Sequence, residues 1–361
     1  MHLLRPRLVR VLIEGYSRWV RSVNVPLLRF VARRLVLIPV SLFVVTTVAF
    51  GLVTLLPGDP AIAIAGGYAT PETLATIRHG LELDRPLYVR YIDYLARASH
   101  GDLGNSFFTD RPVVGDIIQY LPNTIELIVL SLALAILIGM GLGIVAAYFR
   151  GRWPAPAASA LITAIQAIPD FFLGLLLIYI MFFRLHLAPA PFGRLAPTDI
   201  PPPAVTHFLI VDCILAGRWQ TLVSALYQSL LPVLTLGVVY AAYFGKTARA
   251  VLATALDSSH IEFARACGLP TRQVIGYAVL IGRTPIMTYV AILFGTLIGG
   301  EAIVETIFGW QGVGQWALQG ILKVDVPVIQ GFVILSGFFT LLIYLLLDIV
   351  VTLLDPRISY G

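Results

Sequence analysis

The chain has 361 residues, of which 58% are hydrophobic and 12% are charged, and its formal net charge at pH 7 is +5. Soluble domains have roughly 45–50% apolar and about 25% charged residues, so this composition excludes an ordinary soluble domain. The small positive charge favours a membrane protein whose basic residues orient its helices over a nucleic-acid-binding protein.

Six long apolar runs predict six transmembrane helices and therefore an all-α integral membrane protein. A helix needs about 20 mostly apolar residues to cross a bilayer, and runs of about this length recur along the chain. One acid, Asp170, interrupts the third run directly after Pro169. In chain order, the runs are 35–56, 127–149, 154–183, 222–244, 284–300 and 326–347.

The basic residues at the ends of these runs predict the orientation. An inside N-terminus places the arginine-rich leader, Arg150, Arg152, the 246–283 segment and Arg357 together in the cytoplasm. Both termini are therefore expected to be cytoplasmic. The expected divisions are a basic cytoplasmic extension (1–28), a first transmembrane helix (29–56), an extracytoplasmic region (57–121), a core of five helices (122–355) and a cytoplasmic tail (356–361). The extension is either an amphipathic helix on the inner leaflet or a poorly ordered tail.

The connecting segments differ in character. Thr70 before Pro71 predicts the capped start of a short helix, and 87–96 predicts a second helix whose tyrosines suit the membrane interface. These tyrosines are Tyr88, Tyr91 and Tyr94. The proline-rich stretch 188–203 predicts a stiff, irregular outer loop.

The chain contains no phosphate-binding loop, zinc-protease motif or serine-hydrolase elbow. We therefore expect no enzyme activity, no metal site and no cofactor in this chain. His186 and His207 flank the proline-rich loop, and solvated histidines are a better interpretation than a shared metal.

The segment 257–269 lies between the fourth and fifth runs, on the predicted cytoplasmic side. It predicts a short helix that Gly268 ends, in which small residues such as Ala264 permit close docking of a partner. Glu262 near the start of this helix suits the helix dipole.

The pattern Glu-x-Ala-x-x-x-Gly at 262–268 resembles the cytoplasmic coupling motif of ABC importer permeases. From about residue 29 to 361, the chain resembles the B-type subunit of the dipeptide/oligopeptide/nickel permease family. The matches include Leu55-Leu-Pro-Gly-Asp-Pro-Ala, Leu121-Pro-Asn-Thr-Ile-Glu-Leu, Val304-Glu-Thr-Ile-Phe-Gly-Trp-Gln-Gly-Val-Gly and Leu354-Asp-Pro-Arg-Ile-Ser-Tyr-Gly.

The resemblance implies a type I ABC importer permease fold in a bacterial cytoplasmic membrane. It implies a homologous second permease, two ATPase subunits that bind ATP and Mg, and an extracytoplasmic binding protein that delivers peptides. Nickel, haem or glutathione are the alternative cargoes. A secondary transporter is the rival class, but the sequence shows neither the broken helices nor the inverted repeats expected of one.

The resemblance also implies roles for individual residues. The ATPase-coupling residues are Glu262, Phe263, Ala264, Arg265 and Gly268, and Phe263 replaces a usual alanine, which implies a bulkier contact.

Charges inside membrane spans are costly and indicate function. Asp170 and Glu301 stand where the family tends to have neutral or small residues, whereas Glu305 matches the family; all three are candidate pathway residues. The alternative for Asp170 is a carboxyl satisfied within the fold. An outer loop with Trp310, Gly312 and Gly314 is expected to face the pathway or the binding protein.

Glycines in two spans predict close helix packing. They are Gly139 and Gly143 in the second span, and Gly295, Gly299 and Gly300 in the fifth.

Overall fold

The computed structural model describes residues 35–55, 59–66 and 69–354. The predictions for 1–28 and 356–361 lie outside this part of the chain. In the described residues the regular structure is helical, apart from one isolated β-bridge between Asn105 and Pro112.

The first four helices form the N-terminal part of the fold. They are α1 (Leu35–Leu55), α2 (Pro60–Ala65), α3 (Pro71–Gly80) and α4 (Leu87–Ser99). The predicted cap is confirmed, because the Thr70 hydroxyl accepts a hydrogen bond from the Thr73 amide at 3.2 Å.

Helix α4 packs against the end of α1 through its tyrosines. The rings of Tyr91 and Tyr94 lie 5.2 and 5.7 Å from the ring of Phe50, and the Tyr91 hydroxyl is 2.7 Å from that of Thr47. Tyr94 is buried within the chain and Tyr88 is exposed, and the predicted place of these tyrosines at the membrane interface stays a prediction.

Twelve further helices and one π-helical segment (Ile178–Arg184) complete the described fold. They are α5 (Val113–Tyr148), α6 (Pro154–Gln166), α7 (Asp170–Leu177), α8 (Leu209–Leu215), α9 (Trp219–Gln228), α10 (Leu230–Leu256), α11 (Ser259–Ala266), α12 (Thr271–Ile281), α13 (Arg283–Gly300), α14 (Ala302–Ile307), α15 (Val313–Lys323) and α16 (Val326–Leu354). Residues 188–203 are irregular, as predicted.

Four helices, α1, α5, α10 and α16, are long and apolar enough to cross a membrane. Two bent pairs raise the number to six if each pair is one span: α6 with 170–184, bent by 95°, and α12 with α13, bent by 63°. The chain is thus a helical membrane protein with four to six candidate spans.

The third predicted span is not straight, because Pro169 separates α6 from α7. Pro169 has φ −60° and ψ 139°, which is extended backbone, and a proline cannot donate the hydrogen bond that a continuous helix needs. The structure therefore contains broken helices that the apolar run does not reveal. Broken helices alone do not separate this chain from a secondary transporter.

The core of the fold is the close pair α5 and α10. A Cβ added at Gly139 would lie 2.5 Å from the Ala241 carbonyl oxygen, and one at Gly143 would lie 2.7 Å from Ala248 Cβ. The predicted packing role of these two glycines is confirmed. In α13, an added Cβ at Gly295 would meet Thr340 at 3.6 Å, consistent with ordinary packing.

The prediction fails for the two glycines that follow. A Cβ at Gly299 or Gly300 would meet nothing within 4 Å. Both are exposed near the end of α13, so neither permits a close contact within this chain.

Candidate functional site

Helix α11 lies in the predicted 257–269 segment, and one of its faces packs against the rest of the fold. Ile261 is fully buried, and it belongs to the same apolar core as Val274 and Ala278 of α12. Gly268 follows the helix with φ +74°, a left-handed conformation that glycine adopts without steric cost. The helix is therefore held rigidly against α10 and α12.

The opposite face of α11 is exposed. Glu262 and Arg265 are exposed, and the Phe263 ring is 72% exposed although it is large and apolar. Beside it lies a hollow of about 480 Å³, lined among others by His260, Leu269, Tyr277 and Ile281. Ala264 is buried against the fold. An exposed aromatic ring beside an apolar hollow on a rigid helix suits protein docking.

A second site lies at the bend between α6 and α7. Asp170 is the first residue of α7, and its Oδ1 accepts a hydrogen bond from the Phe171 amide at 2.6 Å. Its side chain lines a cavity of about 510 Å³. Three tyrosines from other helices share this lining: Tyr240, Tyr243 and Tyr289.

Glu301 lies behind one of these tyrosines. It is only 4% exposed, and its Oε1 accepts a hydrogen bond of 2.7 Å from the Tyr240 hydroxyl. Its Oε2 is buried and has no hydrogen-bond partner in the described part of the chain. Asp170 and Glu301 both lie beside Tyr240, the first in the cavity lining and the second through its hydrogen bond. No lysine or arginine among the described residues forms an ion pair with either carboxyl group.

Glu305 is fully buried and holds the start of α15. Its carboxylate accepts hydrogen bonds from the Thr124 hydroxyl at 2.5 Å and from the Gln315 amide at 2.7 Å. A Cβ at Gly312 would overlap this carboxylate, and one at Gly314 would lie 3.0 Å from its Oε2. Glu305 and the two glycines therefore form one packed unit at a helix N-terminus, where a carboxylate is stabilising.

Trp310 belongs to a neighbouring clamp at the same end of α5. It is buried, and its Nε1 donates a hydrogen bond of 2.8 Å to the Asn123 carbonyl oxygen. The guanidinium of Arg194, from the proline-rich loop, lies 5.8 Å from its ring centroid and binds the side chains of Asn123 and Glu126. Burial lowers the pKa of Arg194, which the Glu126 carboxylate opposes. The clamp thus joins the loop to α5.

No group of three or more histidine, cysteine, aspartate or glutamate side chains among the described residues could hold a metal ion. Cys213 and Cys267 are free thiols, the first buried and the second exposed.

Comparison with known proteins decides the class. Residues 139–360 match the family model described as the binding-protein-dependent transport system inner membrane component. Residues 27–128 match the model for the N-terminal part of the same membrane components.

The chain belongs to this permease family.

Curated relatives agree with this family over nearly the whole permease. The probable D,D-dipeptide transport system permease protein of Escherichia coli K12 is 35% identical over 88% of this chain and 93% of its own length. The di/tripeptide permease of Pseudomonas aeruginosa is 33% identical over 92% and 99%. The glutathione permease of Escherichia coli O6:H1 is 32% identical over 92% and 100%. A solved amino acid ABC transporter matches 68% of this chain at 18% identity, with a TM-score of 0.43.

The structure groups the predicted site residues of the permease into three separate places. The coupling residues lie together on or just after α11, with Ala264 turned inward. Asp170 lines a cavity with Tyr240, and Glu301 is hydrogen-bonded to the same tyrosine. The third place is the packed outer end, with Glu305, Trp310, Gly312 and Gly314. The roles predicted for all of these residues in transport and coupling stay predictions.

Sequence reasoning missed the partners that give these residues their setting. Thr124, Asn123 and Glu126 lie within the matched Leu-Pro-Asn-Thr-Ile-Glu-Leu motif, but nothing in the motif shows what they bind. Tyr240 stands in an uncharged run, which gives no sign that it binds Glu301. Arg194 is the only basic residue in the proline-rich stretch 188–203, and nothing in the sequence indicated which side chains it would contact.

Proposed function

We propose that this permease forms half of a peptide translocation pathway in a bacterial cytoplasmic membrane. Its partners are a homologous second permease, two ATPase subunits that hold ATP and Mg, and an extracytoplasmic binding protein. The chain crosses the membrane six times with both termini inside, each bent pair counting as one span. Relatives that transport dipeptides and di/tripeptides support the choice of cargo.

The observation that carries the pathway assignment is the acidic cavity at the α6–α7 bend. Asp170 lines this cavity together with three tyrosines, and Glu301 is hydrogen-bonded to one of them, Tyr240. An ionisable side chain at membrane depth is a candidate functional group. A peptide has a positively charged amino terminus, which a carboxylate would attract, and tyrosine faces also attract ammonium groups.

The coupling assignment rests on the exposed face of α11. In our proposal, Glu262, Phe263 and Arg265 contact an ATPase subunit, and closure of the ATPase dimer moves α11 together with α12. The apolar hollow beside Phe263 supports a tight contact, because burying an exposed aromatic ring stabilises an interface.

Uptake into proteoliposomes tests the cargo and the site together. The permease is reconstituted with its ATPase and binding-protein partners, and uptake of dialanine is compared with uptake of N-acetyl-dialanine, each preloaded on the binding protein. Asp170→Asn and Glu301→Gln should lower dialanine uptake about tenfold or more, since a hydrogen bond to a charged group contributes about 1.5–3 kcal/mol. Glu72→Gln, which removes an exposed acid from α3, is the control and should leave uptake unchanged.

The two ideas fail in different ways. If the wild-type complex takes up nickel or haem but no peptide, the proposed cargo is wrong. If peptides enter but both acid variants transport them normally, the cargo survives and the acidic site is wrong.

The orientation has its own test in the exposed thiol of Cys267. Because Cys213 is buried, a membrane-impermeant maleimide should label Cys267 in inside-out vesicles that hold the permease without its ATPase subunits, and not in intact spheroplasts. Labelling from the outside would overturn the topology.

The glutathione permease relative points to a second cargo. Glutathione also has a free ammonium group, so competition of unlabelled glutathione with dialanine uptake decides between a peptide-specific and a shared pathway.

A further inference from the structure

A cavity of about 600 Å³ lies where α4 meets the ends of α1 and α16. Its lining includes Phe50 of α1, Arg90 and Tyr94 of α4, and Val326 and Gln330 of α16. A second cavity of about 410 Å³ shares several of these residues, and both Arg90 and Gln330 line the two cavities. This place is remote from the Asp170 cavity, with which it shares no lining residue.

Arg90 is a cation without a partner at this place. Its side chain is half-buried, and in the described ranges it forms no hydrogen bond or ion pair. This partial burial lowers the pKa of Arg90. Removing a charge from water without pairing it is unfavourable, so a ligand that supplies negative charge would stabilise the site.

The larger cavity is also lined by the acids Glu82, Asp93, Asp102 and Asp110 and by a second arginine, Arg97, but none of these acids forms an ion pair with Arg90. Arg85 forms ion pairs with Glu82 at 3.0 Å and with Asp93 at 2.9 Å. Asp59, which lines the second cavity, accepts hydrogen bonds from Arg78. In the larger cavity, Asp102 accepts a hydrogen bond of 2.9 Å from the Gly104 amide, and Asp110 also lines the wall.

Two polar side chains that line the cavity with Arg90 form no hydrogen bond among the described residues, and of these only the Tyr94 hydroxyl is itself a buried atom. Gln330 is 8% exposed, and its amide group has no hydrogen bond within the part of the chain that the structure describes. Tyr94 is 6% exposed, and its hydroxyl is buried and likewise unpartnered there. Buried polar side chains normally have a partner. A guanidinium, an amide and a phenol in one lining offer several N–H and O–H donors to an oxyanion.

The position of the cavity indicates which kind of molecule would supply the oxyanion. It lies at the ends of α1 and α16, and in their apolar windows only 11% and 6% of the residues are buried within the chain. These helices therefore have long apolar faces that the chain itself does not cover and that acyl chains could cover, and helices of this length would place their ends near the depth of the lipid headgroups. We propose that Arg90, Tyr94 and Gln330 form a binding site for the phosphodiester of a phospholipid headgroup, whose acyl chains lie along α1 and α16.

The site can be tested on the permease purified with its partner subunits. The complex is stripped of lipid with detergent and titrated with phosphatidylglycerol, and bound lipid is counted by native mass spectrometry. Diacylglycerol with the same chains and inorganic phosphate are titrated in parallel. Arg90→Gln removes the charge, and Gln330→Glu places a carboxylate beside Arg90. Lys323→Gln is the charge-loss control, because Lys323 is exposed and lines neither cavity.

We expect wild type and Lys323→Gln to bind phosphatidylglycerol equally. Both site variants should bind it at least about tenfold more weakly, the loss expected for one charge-assisted hydrogen bond. Diacylglycerol should not compete. Equal lipid binding by wild type and both site variants would overturn the site. Competition by inorganic phosphate as strong as that by the lipid would overturn the lipid as its source. The new carboxylate of Gln330→Glu can form an ion pair with Arg90, so this variant should keep its fold. If its complex stays assembled, weaker lipid binding cannot be attributed to unfolding.

Discussion

The packed unit at Glu305 makes a quantitative prediction about Gly312. In Gly312→Ala, the new methyl group would overlap a carboxylate that is fully buried and fixed by Thr124 and Gln315. Overpacking of this kind costs about 1–3 kcal/mol of the free energy of unfolding. Glu305→Ala should also destabilise the protein, by about 1–3 kcal/mol, because it leaves the Gln315 amide without its acceptor.

The two effects should not add, since the alanine at 305 removes the atoms with which the methyl group collides. We expect the double variant to be more stable than the sum of the single variants predicts, by about 1–3 kcal/mol. Gly115→Ala is the matched control, because a Cβ at Gly115 in the first turn of α5 meets nothing within 4 Å.

The assay uses the two thiols of the chain. In a Cys267→Ser background, only the buried Cys213 remains, so a thiol-reactive dye reports unfolding of the purified permease as denaturing detergent is added. Strict additivity of Gly312→Ala and Glu305→Ala, or a Gly312→Ala protein as stable as wild type, would refute the packing argument.

Three further predictions follow from other contacts. Phe263→Asp should abolish co-purification of the ATPase subunits while the permease itself unfolds normally, because the exposed ring makes no core contact; retained co-purification contradicts this. Arg194→Met should cost about 3–5 kcal/mol in the same thiol assay, because Glu126 is left buried without its partner, whereas an unchanged unfolding curve argues against the clamp. Burial raises the pKa of Asp212, but hydrogen bonds from Thr206 and from the backbone of Val205 and His207 together outweigh it, so this pKa lies below its ordinary value. The stability that this carboxylate contributes is therefore present above about pH 4 and is lost as the pH falls further, so the unfolding midpoint of Asp212→Asn should depend less on pH below about pH 4 than that of the wild type.

The apolar runs at 35–56 and 326–347 correctly predicted the long helices α1 and α16. In both segments, an apolar environment and backbone hydrogen bonding favour a continuous helix. The short helix after Thr70 was predictable for a local reason, namely its capping hydroxyl and the proline that follows.

The bend at Pro169 was not predicted, although the proline was recognised within the third apolar run. Hydropathy measures how apolar a segment is and carries no information on its direction, so a run that turns by 95° looks the same as a straight one. The proline was a usable signal, because it removes a helical hydrogen bond.

The surroundings of Glu305 could not be predicted for a different reason. Its partner Thr124 lies 181 residues earlier in the chain, and periodicity within a helix gives no information on such a contact. The glycines at 312 and 314 suggested a loop, whereas the structure shows that they leave room for a buried carboxylate. The acid and the glycines were each noticed, but only the fold shows that they belong together.

Helix α5 is longer than a single crossing of a bilayer requires. Its 36 residues span about 54 Å, while the hydrocarbon of a bilayer is about 30 Å thick. Near its start it carries Asn123 and Thr124 of the two packed clusters, and beyond its other end Arg150 forms an ion pair of 2.7 Å with Asp257 after α10. The backbones of α5 and α10 approach closely at Gly139, so any residue larger than glycine there would push apart the two helices that connect these ends of the molecule.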